Sequence, residues 1–198
     1  NGEPLLTKDF YKLVKIINDE NPQIRVHEIN TNGDKIKEGT IDKIYQAGIN
    51  HIVVSLYDGE EQLEKFNKMF EGYDSDTFTL RKSYYHSDNF SGFTNRAGAV
   101  NVNQDLLKDN IKNKCYLPFY KLFIDWNGDQ ILCCEDWFKL SKNKLNINTH
   151  TLKEIWESAF LKKYRQHLNE GKRDLAVCNK CNIHGEKVGK QYTEYYKL

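Results

Sequence analysis

The chain has 198 residues, with 29 basic against 28 acidic side chains and a formal net charge of +1. That length can bury one sizeable core or a core and a small appended module. The balanced charge excludes a nucleic acid recognised by bulk charge, because no basic excess exists to displace counterions from a phosphate backbone. No apolar run reaches the length of a membrane span and no signal peptide is visible at the amino end, so no membrane partner is expected and the chain reads as cytoplasmic.

Residues 1–6 read as a loop leaving a strand that is not part of the chain. With Asn1 opening in mid-motif and no initiator Met, a fragment lacking its amino-terminal part is expected. Residues 7–18 place Phe10, Leu13, Val14 and Ile17 at helical spacing, with Thr7 available as a cap. Asn21-Pro22 ends that helix, and residues 24–30 form a strand closed by Asn32-Gly33. The pattern repeats. Residues 40–47 are a helix with Ile41, Ile44 and Tyr45 inward and Gly48 at its left-handed cap. Residues 51–57 contain Ile52-Val53-Val54, the continuous apolar run of a parallel strand covered on both faces. A helix over 60–70, with Leu63, Phe66 and Phe70, ends near Gly72, and a third strand spans 77–85. Strands alternating with helices predict a right-handed β-α repeat and a parallel sheet. Ligands of such sheets sit at the carboxyl ends of the strands, here residues 2–4, 31–33, 55–59 and the loop 87–98.

A polar connector over 105–115 leads to the cysteines, all five of which lie between 115 and 181. An odd number of cysteines, clustered in a chain too large to need disulfide staples, points to metal in a reducing compartment. Residues 119–131 are aromatic-rich and broken by Asn127-Gly128, which predicts a hairpin with a two-residue turn and places Cys133 on the return strand. Its neighbour Cys134 then points to the opposite face, as a small buried hydrophobe. Phe119, Tyr120, Phe123, Trp126 and Trp137 read as core around the hairpin. Residues 140–150 are loop. Thr151 and Glu154 form a capping box opening one helix, with Leu152, Ile155, Trp156, Ala159 and Leu168 inward and Gly171 as its stop. Cys178 and Cys181 form a C-x-x-C knuckle, and 186–198 reads as a loosely held polar tail. Cys115, Cys133, Cys178 and Cys181 make one four-thiolate set, which serves zinc and iron–sulfur centres alike. Zinc ribbons usually present two knuckles, and this chain has one. The six histidines show no metal spacing, although His184 lies near the knuckle.

With Gly2-Glu3-Pro4, Thr31-Asn32-Gly33 and residues 55–59 ending successive strands ahead of that cysteine frame, the chain resembles a radical S-adenosylmethionine enzyme. Its second half resembles the SPASM auxiliary-cluster region, or its shortened twitch form: Cys115 is followed by 12 residues, Gly128, four residues and Cys133. The resemblance implies an α/β fold: a partial (β/α) barrel over 1–104, an α+β SPASM/twitch module with a hairpin and a helix over 105–185, and the tail 186–198. It implies an auxiliary [4Fe-4S] cluster on Cys115, Cys133, Cys178 and Cys181. It also implies contacts to S-adenosylmethionine from Gly2, Glu3, Pro4, Asn32, Ser55 and Arg96, with Arg96 alternatively meeting an anionic substrate group. Nothing after Cys181 can ligate another auxiliary cluster, which favours the twitch form, and the family's C-x-x-x-C-x-x-C loop does not occur in the 198 residues. A second [4Fe-4S] cluster is therefore expected on an amino-terminal segment, and this fragment alone is expected to be inactive. The implied reaction is radical hydrogen abstraction from a sugar, cyclitol or peptide, with flavodoxin or ferredoxin as electron donor. The competing expectation is a non-catalytic four-cysteine module, zinc or iron–sulfur, for interaction or electron transfer.

Overall fold

A computed structural model describes residues 2–83, 94–100, 113–141, 143–186 and 188–196. The chain divides into two compact units, Asn1–Asn89 and Phe90–Leu198.

The first unit is mixed α/β. A 3-10 turn at Pro4–Leu6 precedes α1 (Phe10–Glu20), β1 (Glu28–Thr31), α2 (Thr40–Gln46), β2 (His51–Leu56), α3 (Glu60–Met69) and β3 (Phe78–Lys82). The strands form one parallel sheet in the order β1-β2-β3, with Ile29 opposite Ile52 and Ile52 opposite Phe78. Parallel neighbours need crossover connections, which α2 and α3 supply. Every residue of β2 after His51 is buried, as its unbroken apolar run predicts. Ile52, Val54 and Leu56 enter a core with Ile29, Ile41, Ile44 and Phe66. The two-residue period of a strand turns Val53 and Ser55 to the opposite face.

Several local expectations are corrected. Thr7 closes the 3-10 turn, donating its amide to the Pro4 carbonyl (3.0 Å), and α1 starts at Phe10 without a side-chain cap. Only Phe10 and Val14 of α1 are buried, while Leu13 and Ile17 are exposed, so a narrower stripe than the periodicity suggests meets the core. Strand β1 begins at Glu28 rather than 24 because the Asn50 side chain takes over the preceding backbone: it accepts from the His27 amide (2.9 Å) and donates to the Arg25 carbonyl (2.8 Å). Gly48 does take the left-handed cap, at φ 107°. The predicted continuation of the third strand over 84–85, most of the loop 87–98 and most of the connector 105–115 lie outside the described residues.

The second unit comprises α4 (Leu117–Tyr120), a hairpin of β4 (Phe123–Ile124) and β5 (Gln130–Ile131), α5 (Leu152–Trp156) and α6 (Ala159–Asn169), with 3-10 turns at Arg96–Gly98, Cys178–Lys180 and Lys190–Tyr196. The hairpin loop has three residues rather than two. The Asp125 amide donates to the Asp129 carbonyl (2.8 Å) and the Gly128 amide to the Asp125 carbonyl (2.9 Å), which requires Gly128 to sit at φ 86°. The Thr151–Glu154 capping box is present, yet the single predicted helix is two. Ser158 breaks it by accepting the Leu161 amide (3.3 Å) and opening α6. Leu152 and Ala159 are consequently exposed, and α6 buries Leu161, Tyr164, Arg165 and Leu168. Arg165 ties three helices together: Nε donates to the Pro118 carbonyl (2.9 Å), Nη1 to the Trp156 carbonyl (2.7 Å), and the guanidinium lies 4.2 Å from the Trp156 ring centre. The tail is held, since Tyr192 stacks on Tyr120 with ring centres 5.7 Å apart. No helix among the described residues is long and apolar enough to cross a membrane.

Two glycines with positive φ separate backbone strain from steric overlap. Gly33 (φ 83°) faces the Phe66 ring, which an added Cβ would overlap, whereas Gly39 (φ 71°) has open space around it. Gly39→Ala should cost the left-handed strain of about 1–2 kcal/mol. Gly33→Ala should cost roughly 1–3 kcal/mol more, for overpacking. Denaturant midpoints at constant slope will show this; equal losses would mean that Phe66 moves aside freely.

Candidate metal centre

Four cysteines from three separate stretches of chain come to one place. Cys115 precedes α4, held by its amide to the Leu168 carbonyl (3.4 Å), while the next amide, of Tyr116, donates to the Gly185 carbonyl (3.0 Å). Cys133 lies two residues past the end of β5, in a turn closed by the Asp136 amide on the Cys133 carbonyl (3.1 Å). Cys178 and Cys181 bracket a 3-10 turn, with the Cys181 amide on the Cys178 carbonyl (3.3 Å). Val177 enters that turn at φ 71°, which a β-branched side chain tolerates only where packing holds it. It is buried at 2% exposure in the core that contains all four cysteines.

All four are free, buried and on the wall of one cavity, with Leu117, Leu132, Leu168 and Ile183 among their apolar neighbours. Gly185 passes so close to Cys115 that a Cβ there would overlap the sulfur. Burial pushes every one of the thiols up: Cys178 to about 12, Cys181 to about 11, Cys133 well above the ordinary thiol value, and Cys115 upward as well. Arg173, on the same cavity wall, opposes that rise at Cys115, Cys178 and Cys181. Among the described residues, no three His, Cys, Asp or Glu side chains draw together tightly enough to hold a single metal ion.

Cys134 is exposed rather than buried. The strand ends at Ile131 and a turn follows, so the alternation of a strand no longer sets its direction. Trp126 and Trp137 are likewise exposed rather than core, whereas Phe119 is buried.

Around the cysteines lies polar bracing that the sequence reading missed. The Asn95 amide donates to Asn182 Oδ1 (2.8 Å), the Asn182 amide to Asn95 Oδ1 (3.3 Å), and Asn95 Nδ2 to the Lys180 carbonyl (2.6 Å), clamping the knuckle. Buried Glu135 accepts from Thr94 Oγ1 (2.5 Å) and from Arg96 Nη1 (3.0 Å). Arg96 is therefore placed in the cysteine-bearing unit, paired with Glu135 and 5.0 Å from the Trp137 ring centre. Both Arg96 and Ala97 have positive φ, 48° and 53°. His184 is exposed and beside Asn113 (3.1 Å).

The other nominated residues gather at the carboxyl edge of the sheet. Glu3 Oε1 accepts from the Leu5 amide (3.0 Å) and Thr31 Oγ1 (2.8 Å), and Oε2 accepts from the Asn32 amide (2.9 Å). One carboxylate thus joins Gly2-Glu3-Pro4 to the end of β1. Thr31 passes the network on, accepting from the Gly33 amide (3.0 Å). Gln62, also missed, braces the loop after β2 by accepting the amides of Tyr57 (2.7 Å) and Asp58 (3.1 Å). Asn32 turns its side chain onto Asp34 (2.8 Å), and Ser55 is buried near the end of β2.

Residues 115–182 match the family model of SPASM, an iron–sulfur cluster-binding domain. The match spans all four buried cysteines. The fold resembles the crystal structure of BtrN in complex with AdoMet and 2-DOIA, with a TM-score of 0.77 and 24% identity over 96% of this chain and 73% of that one. It also resembles selenomethionine BtrN in an open conformation, with a TM-score of 0.60 and 20% identity over 94% of this chain and 73% of that one. No curated protein sequence matches the chain at a significant level.

In protein stripped of metal by a chelator, iodoacetamide at neutral pH should label exposed Cys134 ahead of the other four, which are buried; desolvation raises the Cys134 thiol as well, so access sets the order. Mass spectrometry of the digested protein reads the order. Early labelling of Cys133 or Cys178 would contradict the burial described.

Proposed function

We propose that the second unit holds one [4Fe-4S] cluster on Cys115, Cys133, Cys178 and Cys181, and that the chain serves radical S-adenosylmethionine chemistry. The observation that carries this reading is the convergence of four buried cysteines on one apolar cavity within the stretch that matches an iron–sulfur domain. The donor set fits. Four thiolates on one zinc ion, at about 2.3 Å each in a tetrahedron, would crowd around a single point. The four cysteines here line one apolar cavity, and an all-cysteine set suits a multi-iron centre. When bound, such a cluster supplies one-electron transfer, and all-cysteine ligation leaves no open position for substrate.

The chain's own residues do the rest. Leu117, Leu132 and Leu168 keep water from the sulfurs, and exclusion of water raises or lowers a cluster's potential together with hydrogen bonding and charge. Asn95 and Asn182 hold the knuckle against its neighbouring loop. In the first unit the strand ends form one side of a barrel mouth that takes S-adenosylmethionine. Glu3 fixes the turn at Gly2-Glu3-Pro4, and of its roughly four lone-pair sites three are used internally, leaving one for the cofactor's ammonium group. Asn32 and Ser55 line the same edge; in the second unit, Arg96 offers a guanidinium to an anionic group of cofactor or substrate. A radical-generating cluster needs three further cysteines in a C-x-x-x-C-x-x-C run, and Cys134 alone is left over here.

For substrate we propose a small polyhydroxylated molecule, a sugar or cyclitol, oxidised after hydrogen abstraction. The likeness in fold to BtrN, which binds AdoMet and 2-DOIA, supports this over a peptide. Flavodoxin or ferredoxin would deliver the electrons.

Anaerobic reconstitution with iron and sulfide should load about four irons per chain, with a charge-transfer absorbance. Cys133→Ser should lose most of that iron and Cys134→Ser should keep it. One zinc per chain without visible absorbance, or the reverse order of the two variants, would contradict the assignment. Isothermal titration of the loaded chain with S-adenosylmethionine should show binding that Glu3→Ala abolishes; an unchanged affinity would sink the role given to that turn.

A further inference from the structure

Arg173 is buried and stands on the wall of the cavity that the four cysteines share. Its guanidinium donates Nε to the Asn113 carbonyl (2.8 Å) and Nη2 to the carbonyls of Ile183 (3.2 Å) and Lys114 (3.4 Å). These acceptors lie just before Cys115 and just after Cys181, so one side chain joins the two ends of the cysteine frame. All three acceptors are neutral. Among the described residues no carboxylate forms an ion pair with Arg173.

A buried guanidinium without a counter-ion is costly, even when carbonyls satisfy its protons. Neutral thiols do not remove that cost. A four-thiolate iron–sulfur centre does, because four thiolates outweigh the positive charge of the cluster core in both redox states. The reduced state carries one more negative charge than the oxidised state, so a nearby fixed cation stabilises it more. Arginine keeps its charge at any physiological pH, and the three carbonyl contacts hold that charge at the cavity wall.

We infer that Arg173 is the built-in counter-charge of the cysteine centre and raises its reduction potential, an assignment that rests on the iron–sulfur reading above. Arg173 is a positioning residue: it touches the cavity and the backbone that carries the ligands, and acts through the cluster's charge.

The test is a redox titration of the anaerobically reconstituted full chain with dithionite and mediators, following the reduced cluster by electron paramagnetic resonance. In Arg173→Met the reduced-to-oxidised ratio at fixed poise should fall roughly tenfold, a shift of about 59 mV to more negative potential for a one-electron couple. Arg173→Lys, which keeps the charge, should stay close to wild type. Equal potentials for Arg173→Met and wild type overturn the inference, as does an Arg173→Lys shifted as far as Arg173→Met. If Arg173→Met retains no iron, Arg173→Lys decides: iron at the wild-type potential supports the counter-charge, and loss of iron from both variants reduces Arg173 to a mechanical clamp. Failure of the iron–sulfur reading itself would show separately, as a wild-type chain that takes up no iron.

Discussion

Desolvation of four thiols is the constraint around which the second unit is built. Each sulfur is buried among leucines, valine and isoleucine, far from solvent that could stabilise a thiolate. Burial of this kind makes a thiolate expensive until a metal centre compensates for it. The surrounding architecture keeps the cavity in register. Arg165 ties α4, α5 and α6 together from below, the Asn95–Asn182 pair holds the knuckle, and Gly185 lets the chain pass against the Cys115 sulfur. Val177 carries a left-handed backbone into the knuckle, a strain that its own packing in the cysteine core sustains.

The first unit obeys a different logic. Its sheet is held by apolar burial on the helix-facing side, and polar bracing gathers at one edge, where Glu3 and Gln62 hold loops that are distant in sequence. A carboxylate fixed by two backbone amides and a hydroxyl is already ordered before any ligand arrives, so less conformational entropy is lost on binding. Both units thus use buried or half-buried polar side chains to pre-set loops, while the helices and strands supply rigid frames.

Much of this was legible in the sequence. The parallel sheet follows from Ile52-Val53-Val54 between two amphipathic helices, the capping box from Thr151 and Glu154, and the grouping of Cys115, Cys133, Cys178 and Cys181 on one cavity from their spacing. What escaped were features decided by competition within one turn or by tertiary carbonyls. Ser158 outcompetes helix continuation, Asn50 replaces a ladder partner for residues 25–27, and the Asp125–Asp129 bond lengthens the hairpin loop. The expected burial of Cys134 followed from a strand assumed to run three residues farther than it does. Arg165 and Arg173 give no signal in the sequence, because their partners, carbonyls from distant segments, leave no periodic trace.

The central claim is that the four buried cysteines hold a multi-iron cluster and not a single ion. X-ray absorption at the iron and zinc edges of the chain purified from cells without exposure to air tests it most directly. An iron edge whose scattering shell contains both sulfur and iron neighbours is the predicted result. A zinc edge with sulfur neighbours alone would contradict the account.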